Sequence, residues 1–160
     1  MLGAMRLGMV LMLLLGLSAC STSFDSALLK VRYVPPSGVK LSSEEAGPPA
    51  VARFSQGIEL RMVTGPAPAI DEAHFDLLLD ALRDGAKVAA PGKLVSARPG
   101  TLSIGAVVRL EVKGEGTRSL VYFIPLEGRY LVASLTAPEA RYGMLEAQVE
   151  RSLSSLSTRQ

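Results

Sequence analysis

The sequence has very little of the chemistry that marks metal sites and disulfides. It contains one cysteine, Cys20, and one histidine, His74, in 160 residues. A single cysteine excludes an intramolecular disulfide, and a single histidine excludes a histidine-rich metal site, so we expect neither a metal nor a cofactor. The 17 Lys and Arg residues nearly balance the 15 Asp and Glu residues, for a net charge of +2. That balance gives no electrostatic reason to expect nucleic acid as a partner.

The sequence also lacks a clear pair of nucleophile and base. A Ser-His-Asp arrangement would have to use His74, whose neighbouring carboxylates all lie on the same predicted helix. Asp76, Asp80 and Asp84 recur every four residues, but a regular helix cannot wrap a calcium ion as a loop does. We therefore expect a helix histidine without a catalytic role and a solvated acidic face.

Three other carboxylates keep one enzymatic alternative open. Glu111, Glu115 and Glu127 lie in or near a predicted run of strands. Two carboxylates that flank a cleft are the catalytic groups of sugar hydrolases. No pattern in the sequence distinguishes any of the three from an ordinary surface carboxylate, so we expect the protein not to be an enzyme.

Long apolar runs are also missing, except for one short block at the N-terminus. Residues 7–17 are apolar, follow the single basic residue Arg6, and give way to polar residues at Ser21. The block is shorter than the roughly 20 residues that a membrane-spanning helix needs, and its layout is typical of a secretory signal.

The end of this block, Leu17-Ser18-Ala19-Cys20, resembles the lipobox of bacterial lipoproteins. The resemblance implies cleavage between Ala19 and Cys20, lipidation of Cys20, and attachment to the membrane through that lipid. An ordinary signal cleavage after Cys20 would also satisfy the small-residue rule and is the alternative. We predict a signal peptide in residues 1–19, a lipidated tether in residues 20–30 and one domain in residues 31–160. Ser21 after the cysteine favours the outer membrane, facing the periplasm, and an inner-membrane location stays open.

Local patterns predict two strands, a loop and a helix in the first half. Residues 31–34 and the alternating residues 58–63 have the period of strands. Gly47, Pro48 and Pro49 predict a loop over residues 42–49. Asp71 is suited to cap a helix, and four apolar residues then form one helical stripe: Phe75, Leu78, Leu79 and Leu82.

The second half predicts an antiparallel strand meander. Residues 101–113 contain alternating apolar and polar positions, and residues 120–124 are apolar throughout, as in a strand that is covered on both faces. Glu127-Gly128 predicts a tight turn, and residues 129–136 predict the return strand.

A helix is predicted to follow the meander. Thr136 and Glu139 resemble a capping box, with Pro138 in the first turn of the helix. One apolar stripe then runs along the predicted helix: Tyr142, Leu145, Val149, Leu153 and Leu156.

These elements resemble the PsbP-like superfamily, which includes the photosystem II extrinsic protein and the bacterial lipoprotein DcrB. The segment Tyr-Val-Pro-Pro-Ser-Gly-Val at residues 33–39 resembles the opening of such a domain, and residues 122–156 match its last two strands and final helix. The resemblance implies an α+β fold in which an antiparallel sheet is flanked by helices, a PsbP-like α/β/α sandwich. It also implies a family whose members mostly bind or assist assembly rather than catalyse.

The sequence thus predicts a membrane-anchored, non-catalytic lipoprotein that acts as a binding or assembly factor for an envelope protein. The alternatives are a carrier of a small apolar ligand, which needs a cavity between sheet and helices, and an envelope hydrolase. Contact residues for a partner are expected in the loop at 42–49 or among the four tyrosines, Tyr33, Tyr122, Tyr130 and Tyr142. We expect most of the tyrosines to be core residues, so the loop is the better candidate.

Overall fold

The structure is a computed structural model, which describes residues 22–67, 69–71, 73, 75–80, 82 and 90–160. The predictions for Ala19, Cys20, His74 and Asp84 lie outside the described residues. The described strands are β1 (Phe24–Ser26), β2 (Val31–Tyr33), β3 (Leu41–Glu45), β4 (Ala50–Phe54), β5 (Ile58–Thr64), β6 (Lys93–Leu102), β7 (Gly105–Lys113), β8 (Thr117–Leu126), β9 (Arg129–Pro138) and β10 (Ser157–Thr158). A short 3-10 helix, Ser55–Gly57, joins β4 to β5, residues 75–80 are helical, and the C-terminal helix is Glu139–Leu153.

Seven of these strands form one antiparallel sheet in the order β3-β4-β5-β9-β8-β7-β6. The other three form a small antiparallel sheet in the order β1-β2-β10. Strand β5 pairs with β9 in the middle of the large sheet, whereas β6, the next strand in the chain, is at its edge, so the connection from β5 to β6 is a crossover.

Strand alternation gives the large sheet two apolar faces, and both are covered. The first face includes Leu60, Tyr122 and Leu135 and packs against the C-terminal helix and the small sheet. The second face includes Val121 and Phe123 and packs against the helical residues near position 78. The result is an antiparallel sheet between helices, which confirms the predicted α+β, α/β/α architecture.

The elements with strong periodicity lie where the sequence predicts them. Strand β5 forms seven residue pairs with β9, and β8 and β9 form a hairpin whose turn contains Gly128 at φ +66°. In the first half, the Asp71 carboxylate accepts the backbone N–H of Ala73 at 2.9 Å, as expected for a cap. Leu78 and Leu82 of the predicted helical stripe are buried against the sheet.

Part of the predicted tether belongs to the folded domain. From Phe24 onward the chain forms strand β1, which pairs with β2. Phe24 stacks edge-on against Phe54 with ring centroids 5.1 Å apart, and Leu29 is fully buried. Burial of these apolar side chains stabilises the packing of the segment on the domain.

The predicted loop at residues 42–49 is wrong in its first half, because Ser42–Glu45 continues strand β3. Glu44 lies opposite Ala52 and Glu45 opposite Val51 in the β3–β4 pair. Strand β3 is an edge strand with mostly exposed side chains, so its sequence carries no apolar alternation. The Gly-Pro-Pro sequence lies in the turn that connects β3 to β4.

Strand β6 is a further element that the sequence did not predict over most of its length. It contains Pro99, which lies opposite Val108 of β7. Since proline cannot donate a ladder hydrogen bond, it is tolerated in a sheet mainly on an edge strand, and β6 is the edge.

The predicted capping box is also wrong. Pro138 occupies the N-cap of the C-terminal helix without a side-chain cap, and the Thr136 hydroxyl forms a 2.8 Å hydrogen bond with the Ser119 hydroxyl. The backbone N–H of Glu139 donates instead to the carbonyl of Gly116, at 3.1 Å. A turn from a neighbouring strand pair thus supplies the acceptor that the sequence assigned to Thr136.

Candidate functional site

A small apolar cavity opens between the second face of the large sheet and the crossover that follows β5. Its volume is about 180 Å³. We call it the apolar cavity, and its lining residues are Pro66, Ala67, Ile70, Leu78, Leu82, Val108, Phe123, Pro125 and Tyr130.

Strand and helix periodicity together build this cavity. Val108 and Phe123 are directly opposite each other on β7 and β8, and both point to the second face. Leu78 and Leu82 are four positions apart and therefore lie on one side of a helix. The Tyr130 ring lies 6.1 Å from the Phe123 ring and closes one side.

The described lining of the apolar cavity is almost entirely hydrophobic. Among the lining side chains that the structure describes, the hydroxyl of Tyr130 is the single polar group. A cavity with such walls can take up an aliphatic or aromatic group and gain free energy by removing it from water. Its volume lies below the roughly 300–1,000 Å³ that is usual for drug-sized ligands.

The ionisable groups concentrate elsewhere, under the C-terminal helix. The side chain of Arg109, on β7, is 6% exposed and contacts three carboxylates. Its guanidinium lies 2.5 Å from Glu111 and 2.7 Å from Glu150 and also pairs with Glu146. Arg118 pairs with Glu111 at 3.0 Å. We call these five residues the Arg109 network.

The pKa shifts of Glu150 and Arg109 both favour the charged form of the side chain. Burial alone would raise the pKa of Glu150, but hydrogen bonds from Arg109 and Tyr122 outweigh it and hold that pKa below its usual value. Burial would likewise lower the pKa of Arg109, yet the hydrogen bonds and charges of Glu111 and Glu150 raise it. A general acid in a glycosidase needs a raised carboxyl pKa, so the lowered pKa of Glu150 does not suit that role.

Burial and the hydrogen bond to Glu150 raise the pKa of Tyr122 to about 12. The Tyr122 hydroxyl donates this bond at 2.9 Å. Arg118 also lies 5.0 Å from the centre of the Tyr142 ring, a cation–π distance. The ion pairs of the Arg109 network therefore connect β7, β8 and the C-terminal helix.

Sequence reasoning missed the burial of Arg109. Residues 108–113 alternate between apolar and charged side chains, which is typical of a strand with one polar face. That face is instead covered by the helix, whose Glu146 and Glu150 are four residues apart and both pair with Arg109. A spacing of four residues places both carboxylates on one side of a helix. This spacing was the signal in the sequence for a cation packed against that side.

The three carboxylates that left a hydrolase as an alternative function do not lie together at one site. Glu111 belongs to the Arg109 network, whereas Glu115 and Glu127 are exposed at turns on opposite ends of β8. Ten residues of strand separate these turns by about 30 Å. Asp76 and Asp80 are exposed, as expected of a solvated acidic face.

Most of the four tyrosines are core residues, as the sequence predicted. Tyr33, Tyr122 and Tyr142 are buried, and Tyr130 is half-buried at the apolar cavity. Within the described ranges, no three His, Cys, Asp or Glu residues are grouped as metal ligands would be. No helix in those ranges has the length and apolar character to cross a membrane.

Comparison with known proteins shows similarity at the level of structure. Neither a protein-family model nor a curated protein sequence matches this chain. The solved structure of cyanobacterial PsbP (CyanoP) from Synechocystis sp. PCC 6803 matches at 14% identity with a TM-score of 0.58. The match covers 86% of this chain and 91% of CyanoP.

A structure from Bacteroides thetaiotaomicron VPI-5482 matches at 18% identity with a TM-score of 0.51. That match covers 88% of this chain and 49% of the Bacteroides chain. Similarity at these identities establishes the fold alone. The chain therefore has a PsbP-like fold, an α+β structure with an antiparallel sheet flanked by helices.

Proposed function

We propose that this chain is a non-catalytic binding protein of the bacterial envelope. In this proposal the lipid on Cys20 holds it at the outer membrane, the domain faces the periplasm, and its partner is an envelope protein. The lipobox-like sequence at residues 17–20 supports the anchor. The apolar cavity carries the proposal of binding, because it is a concave site whose described lining is apolar apart from the Tyr130 hydroxyl.

The size of the apolar cavity favours a protein partner over a free ligand. About 180 Å³ is enough for one large side chain but is small for a drug-sized molecule. Protein interfaces concentrate their binding energy in a few anchor side chains that fill such pockets. We therefore assign the cavity to an apolar anchor residue of the partner.

A photo-crosslinking experiment tests the binding proposal in cells. A photoreactive phenylalanine derivative replaces Tyr130 at the apolar cavity or, as the control, Leu77, which is 70% exposed. We expect a discrete protein adduct from position 130 that disappears when Ala67→Phe fills the cavity. Identical adducts from both positions, or an adduct at 130 that survives Ala67→Phe in a folded protein, would contradict the proposal.

The anchor has its own test. We expect Cys20→Ala to leave the protein in the soluble periplasmic fraction or uncleaved at the inner membrane. The native chain should incorporate radiolabelled fatty acid and fractionate with the outer membrane, because two or more acyl chains suffice for stable anchoring. A Cys20→Ala variant that still fractionates with the outer membrane would show that the anchor lies elsewhere.

The apolar cavity also supports a second candidate function, a carrier of a small apolar ligand. A carrier should retain its ligand through purification. Mass spectrometry of an organic extract from the purified chain, compared with the Ala67→Phe variant, separates the two functions. A stoichiometric small molecule in the native extract alone would favour the carrier.

A further inference from the structure

The distance between the proposed lipid site and the folded domain is short. Strand β1 begins at Phe24, four residues after Cys20. Four extended residues span at most about 14 Å. If Cys20 lies at the membrane interface, Phe24 must lie within that distance of it.

Strand β1 is packed against the domain. Its detachment would lengthen the link to Cys20 but would cost free energy. Phe24 is 9% exposed and lies opposite Tyr33 in the β1–β2 pair. Its ring contacts the ring of Phe54, with centroids 5.1 Å apart. In addition, the Ser26 hydroxyl donates to Glu44 and accepts the backbone N–H of Leu29. Detachment of β1 would expose this apolar surface and break these bonds.

The exposed side chains of the β1–β2 hairpin and the adjoining Arg159 have a composition that suits lipid headgroups. The turn between β1 and β2 exposes Leu28, at 45%, and Lys30 beside it. Arg32 and Arg159 flank Asp25, at 3.0 Å and 3.3 Å. Three cations against one carboxylate give these side chains a net charge of +2. We call these five residues the hairpin surface.

We infer that the hairpin surface lies against the phospholipid headgroups of the membrane that holds Cys20. The short link brings the surface there, the cations attract anionic headgroups, and Leu28 reaches towards the acyl boundary. The inference rests on the proposed lipid anchor. It orients the domain so that the second sheet face and the apolar cavity point away from the membrane, where an envelope partner can reach the cavity.

Two exposed leucines make a matched test of this orientation. Leu28 belongs to the hairpin surface, and Leu77, which is 70% exposed, lies in the helical residues on the opposite side of the large sheet. Two layer spacings of about 10 Å each separate the two sides. Since Cys20 is acylated in the proposed mature protein, Leu28→Cys or Leu77→Cys supplies the one thiol that a fluorophore can label.

The experiment uses the full, lipidated chain in vesicles of phosphatidylethanolamine and phosphatidylglycerol, with a fraction of headgroup-nitroxide lipid as the quencher. We expect the fluorophore at position 28 to lose most of its emission, whereas the fluorophore at position 77 keeps it. Lys30→Cys serves as a second reporter of the hairpin surface if Leu28→Cys melts at a lower temperature than the native chain.

The outcomes separate this inference from the proposal on which it rests. A chain that floats with the vesicles but shows equal quenching at positions 28 and 77 overturns the orientation and leaves the anchor standing. A chain that does not float with the vesicles overturns the anchor, and the orientation with it. Quenching at position 28 alone supports both.

Discussion

Arg109 is the side chain on which the packing of the C-terminal helix against β7 depends most directly. Its guanidinium is nearly buried, and each of its three nitrogens donates to one carboxylate, Glu111 on β7 or Glu146 and Glu150 on the helix. Removal of one partner from a buried ion pair leaves the other charge without compensation, which costs more than the pair itself contributes.

We expect Arg109→Met to destabilise the fold strongly. Loss of the guanidinium leaves Glu146 and Glu150 facing Glu111. The penalty for breaking a buried pair is about 3–5 kcal/mol, and we expect the lower end. The reason is that the three carboxylates keep 19–36% of their side-chain exposure. Urea denaturation measures the change.

Arg141→Met is the matched control for Arg109→Met, because Arg141 is exposed on the C-terminal helix. Surface substitutions of this kind usually change stability by less than about 0.5 kcal/mol. Equal effects of the two substitutions would show that the Arg109 network does not stabilise the fold.

Ionisation of Tyr33 makes the stability of the fold depend on pH in the alkaline range. Burial raises its pKa from 10.0 to about 12, although the hydrogen bond to Ser152 lowers it in part. The folded chain therefore holds the tyrosine proton more tightly than the unfolded chain. Its contribution to stability is complete below pH 10 and is lost as the pH rises towards 12.

Thermal melting between pH 8 and 12 in the native chain and in Tyr33→Phe measures this dependence. We expect the melting temperature of the native chain to fall above pH 10 and that of Tyr33→Phe to fall less. Tyr122, whose pKa is also raised to about 12, should maintain part of the decline in the variant. Parallel curves would mean that Tyr33 ionises as easily in the folded chain as in the unfolded one.

At the scale of elements, the C-terminal helix is the main cover of the first sheet face. Four of its side chains are buried there: Tyr142, Leu145, Val149 and Leu153. The Leu156 side chain of the predicted stripe is also buried, but it lies beyond the helix end. The Tyr33 hydroxyl, 2.7 Å from Ser152, ties the same helix to the small sheet.

Leu153→Ala tests this packing. Leu153 is 1% exposed, and truncation of a buried leucine costs about 2–5 kcal/mol through lost burial and the cavity left behind. We expect a clear fall in the melting temperature measured by circular dichroism. Met144→Ala on the same helix is the control, because Met144 is 57% exposed and should change the melting temperature little. A Leu153→Ala melt that matches the control would show that the helix does not pack on the sheet.

Both edges of the large sheet carry features that discourage further strand pairing. Strand β3 is short and irregular between Leu41 and Ser43, and it ends in Glu44 and Glu45. Strand β6 has an irregularity near Leu94 and contains Pro99. Bulges, charges and prolines are the usual means by which sheet edges avoid aggregation.

At the scale of the whole molecule, the proposed function predicts that no single polar side chain is essential. We expect the alanine variants of four residues to keep envelope function in a cellular assay: His74, Glu111, Glu115 and Glu127. Interfaces distribute polar contacts around a few apolar anchors, whereas catalysis fails when one reacting group is removed. One variant that folds and localises normally but abolishes function would reveal a catalytic site.

Sequence periodicity by itself determined where the strands and helices with one or two buried faces lie. Strand β5, the β8–β9 hairpin and the C-terminal helix were predictable because the periods of 2 and 3.6 residues follow from local backbone geometry. The anchor at Cys20 likewise depends on a short local motif, and it stays a prediction.

The tertiary structure alone decided the rest, because those features depend on residues far apart in the chain. Strands β1, β3 and β6 have weak local patterns and gain their structure from partners. Arg109 is buried under the C-terminal helix, where its partner Glu146 lies 37 positions later in the sequence. The apolar cavity combines residues from β7, β8, β9 and the crossover. Local periodicity shows which side of an element is apolar, but it does not show which distant element will cover that side or how completely.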